Sequence, residues 1–169
     1  VLRNDALSGL GIAAASDADF IRVNVFTGVT ATDQGIIEGP ARQLHLERNR
    51  LGARVQFAAD VHVKHGFPMN ESPIEQAAED TRKRGMADAL ILSGDSTGKP
   101  TSLETIQRVR HALPNAPLWI GSGFQPEQLE HIHPMVDAIV VGTWLRSNDL
   151  ANPISIHRVQ ALRDRLSKL

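Results

Sequence analysis

The sequence predicts an α/β fold, a (β/α)8 TIM barrel that is incomplete here, holding about strands 3 to 8 with the opening strands missing. Three observations carry that reading. Short apolar runs alternate with helix-period segments; the units recur at roughly thirty residues; and polar residues alternate with apolar ones inside the strands themselves. The whole stretch 1–169 reads as one domain, since its length supports one good hydrophobic core and hardly two.

Strands are expected at 20–25, 55–60, 89–93, 118–120 and 138–141, with Val1-Leu2 as the clipped remnant of another. Helix starts are marked in several places. Ser72-Pro73-Ile74-Glu75 offers a Ser cap, Pro at the first helical position and Glu three residues after the cap. Thr101-Ser102-Leu103-Glu104 reads as a second capping box, and Gly39-Pro40, Gln125-Pro126 and Asn152-Pro153 put proline where a missing N–H costs nothing. Gly52 and Gly85 are expected as left-handed helix ends. Asn4 or Asp5 reads as a helix cap. The last helix carries Val159, Leu162, Leu166 and Leu169 on one side.

Alternating units could also form an open doubly wound sheet, whose strands read as nearly continuous apolar runs. These strands do not. Arg22 and Asn24 share one face while Ile21, Val23 and Val25 share the other, and Asp60 and His62 repeat the pattern in the next unit. Polar residues on one side near strand ends suit a lumen that opens on a site.

Composition excludes several classes. Lys plus Arg number 18 and Asp plus Glu 19, so no net field draws the chain to nucleic acid. Without cysteine there is neither a disulfide framework nor a thiolate metal site. The longest apolar runs, such as 138–141, fall far below the roughly 20 residues of a membrane helix. A cytoplasmic home is expected, with no transmembrane segment. The chain starts with Val1 rather than Met and starts inside a strand, so upstream residues are expected to complete the barrel. Failing that, a second copy would pair across the open edges as a homo-oligomer.

Two groups of residues carry chemistry. Gly121-Ser122-Gly123 and Gly142-Thr143 each follow a strand, and glycines there let successive N–H groups approach an anion. Counted back from the C-terminus these are the loops after strands seven and eight, where barrels often hold phosphate. Asp60, His62 and Lys64 fall on one side of a strand mouth. They suit a base with its orienting partner, a pair of metal ligands, or a lysine that holds an anion or forms a Schiff base. The expectation is a catalytic Asp60, His62 and Lys64 with neither metal nor cofactor, and Arg22 and Asn24 on the lumen floor. The plain alternative is a salt-bridged rim.

The connection 26–39 is the longest and reads as a lid or binding loop, with Asp33 and Glu38 as its acids. The Gly/Ser/Thr stretch 93–101 could wrap a polar substrate or simply lead into a capped helix. His45, His111, His131, His133 and His157 fall away from the strand mouths and are expected as solvated surface.

Together the segments VLRNDA (1–6), ADFIRVNVFTG (18–28), TDQGIIEG (32–39), ADVHVKH (59–65), SGDSTGKPT (93–101), IGSGFQPE (120–127) and IVVGTWL (139–145) resemble the BtpA (BtpA/SgcQ) family of the ribulose-phosphate-binding barrel group. The resemblance runs through the whole chain in order. It implies a TIM barrel with two further strand-loop units upstream, and a link to photosystem I biogenesis at thylakoid membranes in cyanobacteria. Relatives beside sugar-uptake genes imply a role outside photosynthesis as well. Isomerisation, aldol chemistry and glycosidic cleavage all remain open, with a phosphorylated small molecule as the expected partner. The alternative is a non-catalytic assembly factor peripheral to a membrane complex.

Overall fold

A computed structural model of the chain describes residues 4–63, 66–94, 100–149 and 151–169. In chain order the elements are α1 (Ala6–Ala15), β1 (Phe20–Val23), β2 (Val29–Thr32), β3 (Gly35–Glu38), α2 (Ala41–Leu51), β4 (Gln56–Asp60), β5 (Gly66–Pro68) and α3 (Ile74–Glu79), continued by a π turn at Asp80–Arg84. Then follow β6 (Ala89–Ser93), α4 (Leu103–Ala112), β7 (Leu118–Ser122), a 3-10 turn at Pro126–Gln128, α5 (Leu129–Ile132), β8 (Ala138–Ile139) and α6 (Ile156–Leu166).

Five strands form one parallel sheet in the order β1-β4-β6-β7-β8, each added beside its predecessor with helix between. That is the connectivity of a (β/α)8 barrel, and among the described residues the sheet is left open with β1 and β8 as its edges. All five strands of the sequence reading exist; the Val1-Leu2 remnant lies outside the described residues. β1 stops at Val23 rather than 25 because the Val25 N–H donates to the Asn4 side chain at 2.7 Å instead of to a strand.

Side chains partition by parity. Val23, Phe57, Ala59, Leu90, Leu92, Leu118 and Ile120 are buried in the main core with the helices, among them Leu10, Leu44, Ile106 and Leu129. Ala58, Ala89, Ile91 and Trp119 form a second cluster on the opposite face. Phe20 meets Trp119 edge-on at 5.1 Å although β4 and β6 lie between their strands, so the sheet curves toward that face. Arg22 and Asp60 belong to the same parity as this concave set.

The long connection 26–39, expected as a lid or binding loop, carries regular secondary structure of its own. Residues 29–38 fold as a hairpin, and β5 from the loop after β4 adds a third strand, giving an antiparallel sheet ordered β3-β2-β5. Both loops leave C-terminal strand ends, so this flap lies over the mouth. Thr30, Ile37 and Pro68 share one register row, and Ala31, Ile36 and Phe67 the next. Thr30 is buried, whereas Ile36 and Phe67 are 67% and 79% exposed. The flap is therefore apolar on its outer face.

Helix ends differ from the sequence reading in detail. Ser102, not Thr101, caps α4, accepting from the Thr105 N–H at 3.1 Å. Pro73 is the cap residue of α3, without a side-chain bond from Ser72. Asp5 caps α1, which leaves Asn4 for β1. Gly52 does close α2 at φ 60°. Gly85 does not adopt that conformation; its φ is −73° and Met86 takes the positive angle, 57°. Its need is space: a Cβ there would lie 2.5 Å from Thr27 Cγ2 and 2.7 Å from the Thr81 carbonyl oxygen. On α6 only Leu162 packs against the core, while Val159, Leu166 and Leu169 are exposed.

Candidate functional site

β1 and β4 are neighbours in register, with Arg22 opposite Ala58, so the next residues of like parity meet at the mouth. Arg22 donates to Asp60 through Nε at 3.2 Å and through Nη2 at 3.0 and 3.1 Å, a fork that spans both carboxylate oxygens. Asn24 donates Nδ2–H to the second oxygen at 2.5 Å. Asp60 is only 4% exposed, and this cluster of donors compensates its burial. With both oxygens engaged, the carboxylate acts first as an anchor that fixes the directions of Arg22 and Asn24.

His62 follows at the rim. It lines a cavity of about 430 Å³ together with Asn24 and Asp60, roofed by Val29, Thr30 and Pro68 of the flap. Two further recesses also have His62 in their walls, both shared with Ser93 and Gly94. Burial pushes the His62 imidazole below the usual histidine range, because desolvation penalises its charged form. At neutral pH the ring is uncharged and suited to take up a proton. Lys64 lies outside the described residues.

The glycine loops are placed differently from one another. Gly121 is buried within β7, and a Cβ there would press on Ile91, stand 2.7 Å from Ser93 Oγ and 3.0 Å from Arg22 Nη2. Gly121 thus makes room for the lumen arginine. Ser122 closes the strand with a buried hydroxyl that has no partner among the described residues, and Gly123 takes φ 74°. Gly142 and Thr143 are exposed on the neighbouring strand end. Only short helical segments follow these loops directly. Pro126–Gln128 is a 3-10 turn before a four-residue helix, and after β8 a 3-10 turn at Trp144–Arg146 precedes α6 by ten residues or so. Any anion there would depend on loop N–H groups and not on a long helix.

The remaining histidines and acids fall in different surroundings. His111, His131, His133 and His157 are exposed. His45 is not: Nε2 pairs with the Gly85 carbonyl at 2.8 Å, Arg48 reaches Nδ1 at 3.1 Å, and the ring stands edge-on to Phe57. Asp33 and Glu38 are exposed on the flap, away from Asp60 in the cavity wall. Among the described residues, no three His, Asp or Glu side chains gather to hold a metal ion, and no helix is long and apolar enough to cross a membrane. The sequence reading missed the buried hydroxyls of Ser93, Thr101 and Ser122, which have no partner among the described residues. Residue type alone carries no signal for that.

The fold has solved counterparts. Phosphoribosyl anthranilate isomerase from Thermus thermophilus superposes with TM-score 0.63 at 14% identity, covering 99% of this chain and 68% of that one. Dihydrodipicolinate synthase from Agrobacterium tumefaciens gives 0.51 at 22% identity over 82% of this chain and 48% of that one. Such identities speak to fold alone. Sequence relatives are nearer. An uncharacterized protein of Thermococcus kodakarensis is 42% identical over 163 residues, 96% of this chain and 61% of that protein. The photosystem I biogenesis protein BtpA of Synechocystis is 42% identical over 160 residues, 92% of this chain and 56% of that protein. The putative sgc region protein SgcQ of Escherichia coli is 24% identical over 164 residues, 96% of this chain and 61% of that protein. The chain therefore spans about three fifths of the length of these relatives. The family model for BtpA matches residues 1–168, and the chain belongs to the BtpA family.

Proposed function

We propose that this chain binds a phosphorylated small molecule, a sugar phosphate or nucleotide, at the C-terminal ends of its strands and acts on it by proton transfer. One observation carries the reading: Asn24 and Asp60, the latter forked by Arg22 from behind, stand with His62 in the wall of a flap-roofed cavity of about 430 Å³, a size suited to a small ligand. In this reading His62 is the acid–base group, Arg22 and Asn24 orient the reacting end, and Asp60 positions both. Lys64 is the further candidate for the reacting end. The phosphate would sit on the backbone of Gly121, Ser122, Gly123, Gly142 and Thr143, with the unpaired Ser122 hydroxyl as supporting observation. The chemistry is that of a lyase, isomerase or hydrolase, in the cytoplasm.

A thermal-shift panel tests it. Phosphorylated sugars and nucleotides should raise the melting temperature, because a ligand bound only by the folded state stabilises by mass action, and their dephosphorylated counterparts should not. A panel in which phosphate makes no difference would overturn the reading.

A second reading rests on the outer face of the flap, where Phe67, Met69 and Ile36 are mostly exposed. An apolar face of this kind suits docking to a membrane complex, and the Synechocystis relative is named a photosystem I biogenesis protein. Phe67→Ser would then abolish co-sedimentation with membranes while leaving ligand-induced shifts intact.

A further inference from the structure

We propose that the recess between the end of β6 and the start of α4 is a second oxyanion subsite, which takes a phosphate or carboxylate group at the far end of the bound molecule. The proposal rests on the reading above for the rest of that molecule, though not for the anion itself.

The recess has a volume of about 280 Å³, with Ser93, Thr101, Ser102, Thr105, Arg108 and His62 in its walls. α4 is ten residues long, so its N-terminus presents orphan N–H groups and a positive end. The Ser102 cap satisfies the Thr105 N–H and leaves the remaining first-turn donors for another acceptor.

The second observation is independent of the helix. Thr101 is 4% exposed, and its hydroxyl has no hydrogen-bond partner among the described residues; neither has the buried hydroxyl of Ser93, another residue of the recess wall. Buried hydroxyls are nearly always paired, and leaving two unpaired at one place is costly. A ligand with several acceptor oxygens would pair both. Charge selects the ligand's sign. Arg108 reaches the recess while bonded to Glu75 at 2.7 Å, and no carboxylate of the described residues lines it. Hydroxyl donors, helix N–H groups and a guanidinium together suit an oxyanion and repel a cation.

His62 borders both this recess and the flap cavity. An anion held here and a reacting end in the flap cavity, beside Asn24, would lie on either side of that ring. The ligand class is therefore a small molecule with an anionic group at two ends, such as a bisphosphate or a phosphorylated acid.

Calorimetric titration of the full chain with inorganic phosphate, and separately with acetate, tests the subsite. Thr101→Val should weaken the anion about tenfold by removing one charge-assisted donor, and Thr101→Ser should restore it. The ligand-free melting temperature of Thr101→Val should equal or exceed that of the unaltered chain, because a methyl replaces an unpaired hydroxyl. Ser93→Ala should behave in the same way, which covers the case of a poorly folded valine variant. Binding of phosphate, acetate or both identifies the group. The subsite falls if the unaltered chain takes up neither anion, if Thr101→Val binds as well as the unaltered chain, or if both variants melt well below it. If only Gly142→Val loses phosphate, the subsite falls and the strand-seven and strand-eight reading stands.

Discussion

Cutting the Arg22–Asp60 pair from its two sides should cost very different amounts. Arg22→Met leaves a carboxylate that is 4% exposed without the fork that bonds both its oxygens. Breaking a buried pair costs about 3–5 kcal/mol when the desolvated charge stays behind, and the lower end applies here because Asn24 still donates to it. Asp60→Asn leaves the guanidinium instead, and the Arg22 side chain is 36% exposed, so water takes over much of the lost interaction. After that discount the cost is about 1–2 kcal/mol. Urea unfolding followed by tryptophan fluorescence reads both, because Trp119 packs on Phe20 in the same lumen. With a slope of about 2 kcal/mol/M, the midpoint should fall by about 1.5 M for Arg22→Met and by under about 1 M for Asp60→Asn. Arg22→Lys, which keeps charge and loses the fork, should fall between them. Equal costs, or a costlier Asp60→Asn, would refute the claim that the carboxylate is the buried partner and the arginine the solvated one.

Three more outcomes follow from single sites. Because burial lowers the His62 pKa, the unfolded chain binds that proton more readily; stability is complete above about pH 6.5 and declines as pH falls below it. His62→Gln should flatten that decline in denaturation curves taken from pH 7 downward, and an unchanged slope would contradict the assignment. Gly142→Val should shift stability by no more than about 0.5 kcal/mol, since nothing lies within 4 Å of a Cβ there, yet remove phosphate-dependent thermal shifts if that loop holds the anion. Gly85→Ala should cost about 1–3 kcal/mol by overpacking Thr27 and the Thr81 carbonyl; a neutral result in the same assay would show that the π turn yields.

Much of this was legible in the chain because strand parity is a strict period of two. Arg22, Asn24 and Asp60 had to share a face once their strands were neighbours, and they meet within hydrogen-bond distance. The hairpin was harder to read. Val29, Thr30, Thr32, Ile36 and Ile37 are good strand formers, but Asp33-Gln34 is a weak turn signal and the third strand is three residues ending in proline. Its pairing is long-range, and no local window contains it. Gly85 was noticed for the wrong reason, since a helix-end glycine gives no hint of whether φ or space demands it. At Gly121 the crowding by Ile91, Ser93 and the Arg22 guanidinium is a further demand for glycine that is visible only in three dimensions. The unpaired hydroxyls of Ser93 and Thr101 lie beyond sequence altogether, because Ser and Thr in loops normally face water.

Surface loops usually drift in length between relatives, since an inserted residue merely bulges into solvent. The flap denies that freedom to two loops at once. Ala31 is paired to Ile36 on one side and to Phe67 on the other. An insertion of one residue in either partner strand would turn Thr30 outward and Phe67 inward, or break the ladder. Insertions and deletions in this lineage should therefore collect elsewhere, at the turn around Asp33-Gln34, and spare residues 29–32 and 66–68. The roof of the cavity behaves as a single inherited unit, although the chain writes it in two instalments separated by α2 and β4.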